Sequence, residues 1–187
     1  MQTLDALFLD RDGVINEETN YLHDPKDLRL IPGSAQAIRS FNERDIPVIV
    51  VTNQAGVARG YYPESQIKIL HEALSALLRR EGAHVDHQYY CPHHPEGKGE
   101  YGKVCDCRKP MPGLLHHAAK RFSVDLSRSA LIGDKASDIG AAEAVGAKSV
   151  LVLTGHGERE WNNWSEKFQP SHVAKDLLEA SGWLLRE

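Results

Sequence analysis

Short apolar runs alternate with amphipathic stretches along this chain, and the early runs stop abruptly at polar residues. LDALFL (4–9) ends at Asp10, and PVIVVT (47–52) ends at Asn53. HQYYC (87–91) ends at Pro92-His93, and SALIG (129–133) ends at Asp134. KSVLVL (148–153) and SHVA (171–174) follow the same style. Continuous β-branched runs of this length read as strands buried on both faces. Between them, 32–45, 63–81, 112–122, 137–145 and the segment after Lys175 carry apolar residues at helical spacing. The stretch 92–111, rich in Gly, Pro, His and Cys, reads as an ordered loop, and 154–170 reads as irregular. Strand–helix alternation predicts a Rossmann-like α/β fold: a parallel sheet covered by helices on both faces. The 187 residues suit a single domain spanning 1–187, with no space for a separate cap domain.

Ligands of such sheets bind beyond the carboxyl ends of the strands. Four polar sets therefore converge on one edge: Asp10-Arg11-Asp12-Gly13, Thr52-Asn53-Gln54, Cys91-Pro92-His93 and Gly133-Asp134-Lys135. In extended chain, residues i and i+2 share a side. Asp10 and Asp12 then face one way and Arg11 the other. Two close carboxylates suit a nucleophile beside a general acid/base of raised pKa; a solvated turn is the plain alternative. Thr52 and Asn53 offer neutral donors to a phosphoryl group, or a turn. Arg108, Lys109 and Lys135 offer local cations, Arg as a bidentate fork and Lys as a point charge. Asp134 with Asp10 could supply the carboxylates Mg²⁺ prefers. Asp138 and Lys148 read instead as a helix-end acid and a surface charge.

Three cysteines stand close together, in Cys91-Pro-His93-His94 and Cys105-Asp-Cys107. Three thiolates and one imidazole complete a tetrahedral structural Zn²⁺ set, with His93 or His94 as the fourth ligand. Three reduced loop cysteines are the alternative. His116 and His117 read as surface or packing residues, and the tail aromatics His156, Trp161 and Trp164 as cover for the sheet edge, with a substrate lining or a subunit contact as alternatives.

Lys and Arg total 22 against 26 Asp and Glu, a net charge of −4. That balance, with no basic stripe, argues against a nucleic-acid partner. No run reaches the ~18–20 apolar residues of a membrane span, and no signal peptide is evident. The expectation is a cytoplasmic monomer acting on a small molecule.

FLDRDGVIN, VVTNQAG, CRKP and IGDKASD stand in the order and approximate spacing of the haloacid dehalogenase-like phosphatases. The resemblance covers nearly the whole chain. YYCPHHPEG and CDCRKP narrow it to the zinc-bearing histidinol-phosphatase/heptose-bisphosphatase branch. The resemblance implies a Mg²⁺-dependent phosphatase that acts through an aspartyl-phosphate on a phosphorylated sugar, with histidinol phosphate as the other substrate of the branch. It implies Asp10 as nucleophile and Asp12 as acid/base. Asp10, Asp134 and the Asp12 carbonyl would hold Mg²⁺. Thr52 and Lys109 would bind the transferring phosphoryl group. Glu18, Thr19, Asn20 and Tyr21 would form a substrate wall. Asn53, Gln54, Ala55, Arg108 and Lys135 would contact substrate. Cys91, His93, Cys105 and Cys107 would hold Zn²⁺.

Overall fold

The structure, a computed structural model, describes residues 4–164 and 168–186. Six parallel strands form one sheet: β1 (Leu7–Leu9), β2 (Val48–Asn53), β3 (His87–Cys91), β4 (Ala130–Gly133), β5 (Lys148–Val152) and β6 (His172–Ala174). Their spatial order is β3-β2-β1-β4-β5-β6. The chain steps outward from β1 to β3, then returns to the other side of β1. The order therefore reverses between β1 and β4, which pair through Leu7–Ala130 and Leu9–Ile132. That reversal opens a crevice where Asp10 and Asp134 emerge.

Helices cover both faces, as the alternation of apolar runs predicts. They are α1 (Ser34–Asn42), α2 (Gly56–Arg59), α3 (Ser65–Arg80), α4 (Gly113–Phe122), α5 (Ala136–Glu143), α6 (Gly157–Asn162) and α7 (Leu177–Leu184). Alternate strand residues divide the core. Leu7, Leu9, Val48 and Val50 pack with Ile38 and Phe41 of α1, Leu70 and Leu74 of α3, and Leu177 of α7. Phe8, Ile49 and Val51 face the other way, onto Leu114, Leu115 and Ala118 of α4 and Ala141 of α5. Each large side chain buried this way stabilises the fold by about 1.5–3 kcal/mol.

The helices follow local signals. In α3, Ile67, Leu70, Leu74 and Leu78 recur on one buried face. The chain leaves that helix through Gly82 at φ +70°. In α7, Asp176 caps the first turn by accepting from the Glu179 N–H at 2.9 Å. Two helices depart from expectation. The four-residue α2 is too short to show periodicity. The stretch 154–170, expected to be irregular, contains α6, whose few apolar positions hide its pattern; residues 165–167 lie outside the described residues. Among the described residues, no helix is long and apolar enough to cross a membrane.

Candidate active site

The ends of β1, β2 and β4 and the loop after β3 enclose a cavity of about 290 Å³. Asp10, Asp12, Thr52, Asn53, Gln54, Ala55, Arg108, Lys109 and Lys135 line it, with Glu18, Asn20 and Tyr21 from the loop after β1. Thr19 does not join them; it lines a neighbouring hollow with Leu22 and His23. The cavity also takes in Tyr62, Ser137, Asp138 and His156.

Lys109 sits at the centre, 3% exposed. Its ammonium lies 3.1 Å from Asp10 Oδ1 and 2.5 Å from Asp138 Oδ1, and donates to the Val51 carbonyl at 2.6 Å. Burial opposes its charge, but Asp10 and Asp138 outweigh burial and hold its pKa above the ordinary value. Asn53 fixes the Lys109 main chain from β2. Its amide donates to the Lys109 carbonyl, and its oxygen accepts the Lys109 N–H, both at 3.1 Å. Both ends of the Asn53 amide thus position Lys109, and Asn53 also lines the cavity.

Asp138 corrects its reading as a helix-end acid offsetting the dipole or bridging at the surface. It is fully buried and belongs to the acidic cluster. The helix-end part holds, since Asp138 Oδ2 accepts the Lys135 N–H at 3.1 Å. Its i+4 spacing from Asp134 is the signal that could have placed it in the site. Asp10, Asp134 and Asp138 bring carboxylate oxygens within 4.8 Å of one another. Burial, with Asp10 and Asp138 nearby, pushes the Asp134 carboxyl up to about 8, against the pull of Lys135 and the His156 N–H. Asp134 Oδ1 is buried without a hydrogen-bond partner, and the nearest ammonium, Lys135 Nζ, is 3.5 Å away. Three carboxyl groups share two lysines, so the third ionises at a cost that a further cation would remove, and the orphaned Asp134 oxygen faces that cluster. This donor set fits a hard divalent cation such as Mg²⁺.

Gly13 makes the cluster geometrically attainable. At φ +83°, a Cβ there would stand 2.3 Å from Asp134 Oδ2 and 3.0 Å from the Gly155 Cα. Only glycine allows the loop after β1 to approach the loops after β4 and β5 this closely.

Arg11 corrects a second expectation. The backbone bends after β1, and Arg11 does not point away from its neighbours. Its side chain is fully buried, and its guanidinium donates to both Asp12 oxygens, at 3.1 and 2.8 Å. Asn16 and Gln54 also donate to Asp12, each at 2.9 Å. Burial raises the Asp12 pKa, but the Arg11 charge and these hydrogen bonds outweigh it and hold Asp12 below the usual carboxylate range. The raised pKa expected of an acid/base is not found at Asp12. Gln54 completes the network, accepting from Arg11 at 3.1 Å and Tyr62 at 3.0 Å while donating to Thr52 Oγ1 at 3.0 Å.

On the opposite wall, Glu18 Oε2 lies 3.3 Å from His156 Nε2 and 3.6 Å from Lys135 Nζ. His156 also donates its N–H to Asp134 Oδ2 at 2.8 Å. The sequence places His156 only within a tail read as sheet-edge cover, because it belongs to no motif and its part depends on the loop after β5 folding over the site.

The cysteines gather beside the cavity. Sγ–Sγ distances among Cys91, Cys105 and Cys107 are 3.2–3.5 Å, and His93 Nδ1 lies 3.7 Å from Cys91 and 3.4 Å from Cys107. A tetrahedron with Zn–S near 2.3 Å spaces its sulfurs by roughly 3.8 Å, so the set is slightly contracted but of the right shape. His93, not His94, completes it. His94 instead accepts the Glu96 N–H on Nδ1 at 3.1 Å and faces Arg59. Burial raises the Cys91 thiol pKa, a cost that a bound metal reverses by holding the thiolate. The cluster pins both ends of the loop that delivers Arg108 and Lys109. Glu64 of the α3 approach ties the same loop by accepting from Tyr101 at 2.8 Å and Tyr90 at 2.9 Å.

Known proteins resemble this chain in sequence and fold. A HAD-hydrolase-like family model matches residues 106–180. A D-glycero-D-manno-heptose-1,7-bisphosphate 7-phosphatase of Thermosynechococcus vestitus is 42% identical over 185 residues, covering 96% of this chain and 94% of that protein. A D-glycero-beta-D-manno-heptose-1,7-bisphosphate 7-phosphatase of Haemophilus ducreyi is 43% identical over 152 residues, 80% of this chain and 84% of that protein. The crystal structure of a D,D-heptose 1,7-bisphosphate phosphatase from B. bronchiseptica, complexed with magnesium and phosphate, aligns with a TM-score of 0.87 at 33% identity. It covers 97% of this chain and 98% of its own. With 42% identity across nearly its full length and the same fold, the chain belongs to the heptose-bisphosphate 7-phosphatase family of haloacid dehalogenase-like hydrolases.

Proposed function

We infer that this protein is a phosphoric monoester hydrolase that removes the 7-phosphate of D-glycero-D-manno-heptose 1,7-bisphosphate and leaves heptose 1-phosphate. Family membership supports the substrate. The observation that carries the chemistry is Asp10 beside Lys109 at 3.1 Å, with Asp12 held in the same cavity. Asp10 is the nucleophile. Its carboxylate oxygen attacks phosphorus, and the bond from phosphorus to the sugar oxygen breaks. Asp12, protonated as the phosphorylated substrate binds beside it, gives that oxygen its proton, then takes one back from the water that hydrolyses the aspartyl-phosphate and frees inorganic phosphate. Arg11 keeps Asp12 ionised before substrate arrives. A phosphate dianion beside Asp12 offsets that charge and raises its proton affinity.

Lys109 and the Thr52 hydroxyl stabilise the transferring phosphoryl oxygens, the main task in this chemistry. Asp10, Asp134 and the Asp12 carbonyl would hold Mg²⁺, with Asp138 behind them. When bound, that ion supplies charge neutralisation between the anionic nucleophile and the phosphoryl group. Glu18, Asn20, Tyr21, Gln54, Ala55, Arg108 and Lys135 surround the rest of the substrate, with Thr19 outside the cavity. Cys91, His93, Cys105 and Cys107 would hold a structural Zn²⁺ whose closed coordination leaves no place for reacting water. The protein works as one domain without a separate cap, as a cytoplasmic monomer. Its product would feed synthesis of nucleotide-activated heptose and of lipopolysaccharide.

Phosphate release from the α and β anomers of the bisphosphate and from L-histidinol phosphate, each with Mg²⁺, tests the substrate. The expected result is turnover of at least one bisphosphate anomer well above histidinol phosphate; the reverse order would remove the heptose assignment. Asp10→Asn should abolish turnover while thermal unfolding and zinc content stay close to wild type. Substantial residual turnover would rule out the aspartyl-phosphate route. Cys107→Ala should lower the zinc stoichiometry measured by elemental analysis and cut activity, because the loop carrying Arg108 and Lys109 loses its anchor. Unchanged zinc would overturn the ligand assignment.

A further inference from the structure

One feature of the cavity mouth has no part in phosphoryl chemistry. Tyr21 lines the cavity yet is 40% exposed, and Tyr61, 59% exposed, lies against it with ring centroids 4.6 Å apart. The two rings come from separate loops. Tyr21 follows β1, and Tyr61 follows Gly60, which closes α2 at φ +77°. Asn20 and Tyr21 are both non-glycine residues in the left-handed region, at φ +53° and +62°. Such a conformation is unusual for a bulky side chain and persists only where the surroundings hold it.

Three contacts hold it here. Glu18 Oε1 accepts the Asn20 N–H at 2.8 Å. His23 stacks on Tyr62 at 5.8 Å, and Gln66 donates to the His23 carbonyl at 2.6 Å. The turn is therefore fastened on both sides, and its result is an aromatic ring presented at the opening. The cavity lining is mostly charge, amide and hydroxyl, suited to phosphate. An aromatic face with a hydroxyl suits the other part of the substrate, the sugar, whose C–H surfaces pack on rings and whose hydroxyls accept and donate.

We propose that Tyr61 is a positioning residue: its ring braces Tyr21 at the rim, and the braced pair grips the sugar end of the bound bisphosphate. The inference rests on the heptose reading above and deepens it. Tyr61 acts through Tyr21 and needs no contact with the reacting atoms. Tyr61 is 59% exposed and does not line the cavity, which keeps folding and phosphoryl transfer separate from its role.

Steady-state kinetics on the heptose bisphosphate and on acetyl phosphate, which has no sugar, tests this. Tyr61→Ala should raise KM for the bisphosphate roughly two- to tenfold, the range an aromatic pair carries. That rise should exceed any on acetyl phosphate, with kcat on the bisphosphate nearly unaltered. Tyr61→Phe, which keeps the ring, should behave as wild type. The double variant Tyr21→Ala/Tyr61→Ala should be no worse than Tyr21→Ala alone, because the two act as one unit. An unchanged bisphosphate KM in Tyr61→Ala, an equal rise on both substrates, or fully additive losses would overturn the proposal. A wild-type enzyme that cleaves acetyl phosphate but not the bisphosphate would overturn the heptose reading and this inference with it.

Discussion

The buried ammonium of Lys109 is the contact on which the site depends. It joins Asp10 of the β1 end to Asp138 of α5 and to the Val51 carbonyl of β2. Without a cation there, three buried carboxyl groups within 4.8 Å of one another would repel with little solvent to screen them. Removing one partner from a buried ion pair typically costs about 3–5 kcal/mol, because the remaining charge stays buried. Lys109 comes from the loop after β3, outside the strands that carry the acids. The loop must therefore arrive in register, and the Asn53 pairing and the Cys/His cluster both act on its main chain.

The topology explains why these groups can meet. A parallel sheet places all its carboxyl ends on one edge, and the reversal of strand order leaves the crevice between β1 and β4 uncovered by a crossover. Gly13 then lets the loops close to contact. The chemistry is thus concentrated at a single edge while the apolar core on both faces supplies stability. The Cys/His cluster stands apart from the acids, so a structural metal there would stiffen the loop without entering the reaction.

The sequence displays much of this and hides some of it. Period and composition identify the six strands, since a β-branched run such as Val48–Val51 has few other ways to be buried. The strand-end rule then finds Asp10, Thr52, Lys109's partner loop and Asp134 without any coordinates. The rule of alternating sides fails at Arg11 because the backbone leaves the extended conformation just after β1, and Arg11 returns to Asp12. Asp138 is misread because a carboxylate in the first turn of a helix has an ordinary explanation, and only tertiary packing shows it buried under Lys109. Thr19 falls outside the cavity because the turn at Asn20 and Tyr21 is left-handed, which no spacing reveals. His156 depends on α6 and its approach, in a stretch with no readable period. Long-range placement, more than residue type, is what the sequence conceals.

The central claim is that Lys109 balances a cluster of buried acids that also invites a divalent cation. Urea unfolding of Lys109→Met, with and without Mg²⁺, tests it most directly. The account predicts a loss of about 3–5 kcal/mol in the absence of Mg²⁺, and recovery of part of that loss when Mg²⁺ binds the freed carboxylates of the native state. Stability equal to wild type without Mg²⁺, or a loss that Mg²⁺ leaves untouched, would contradict it.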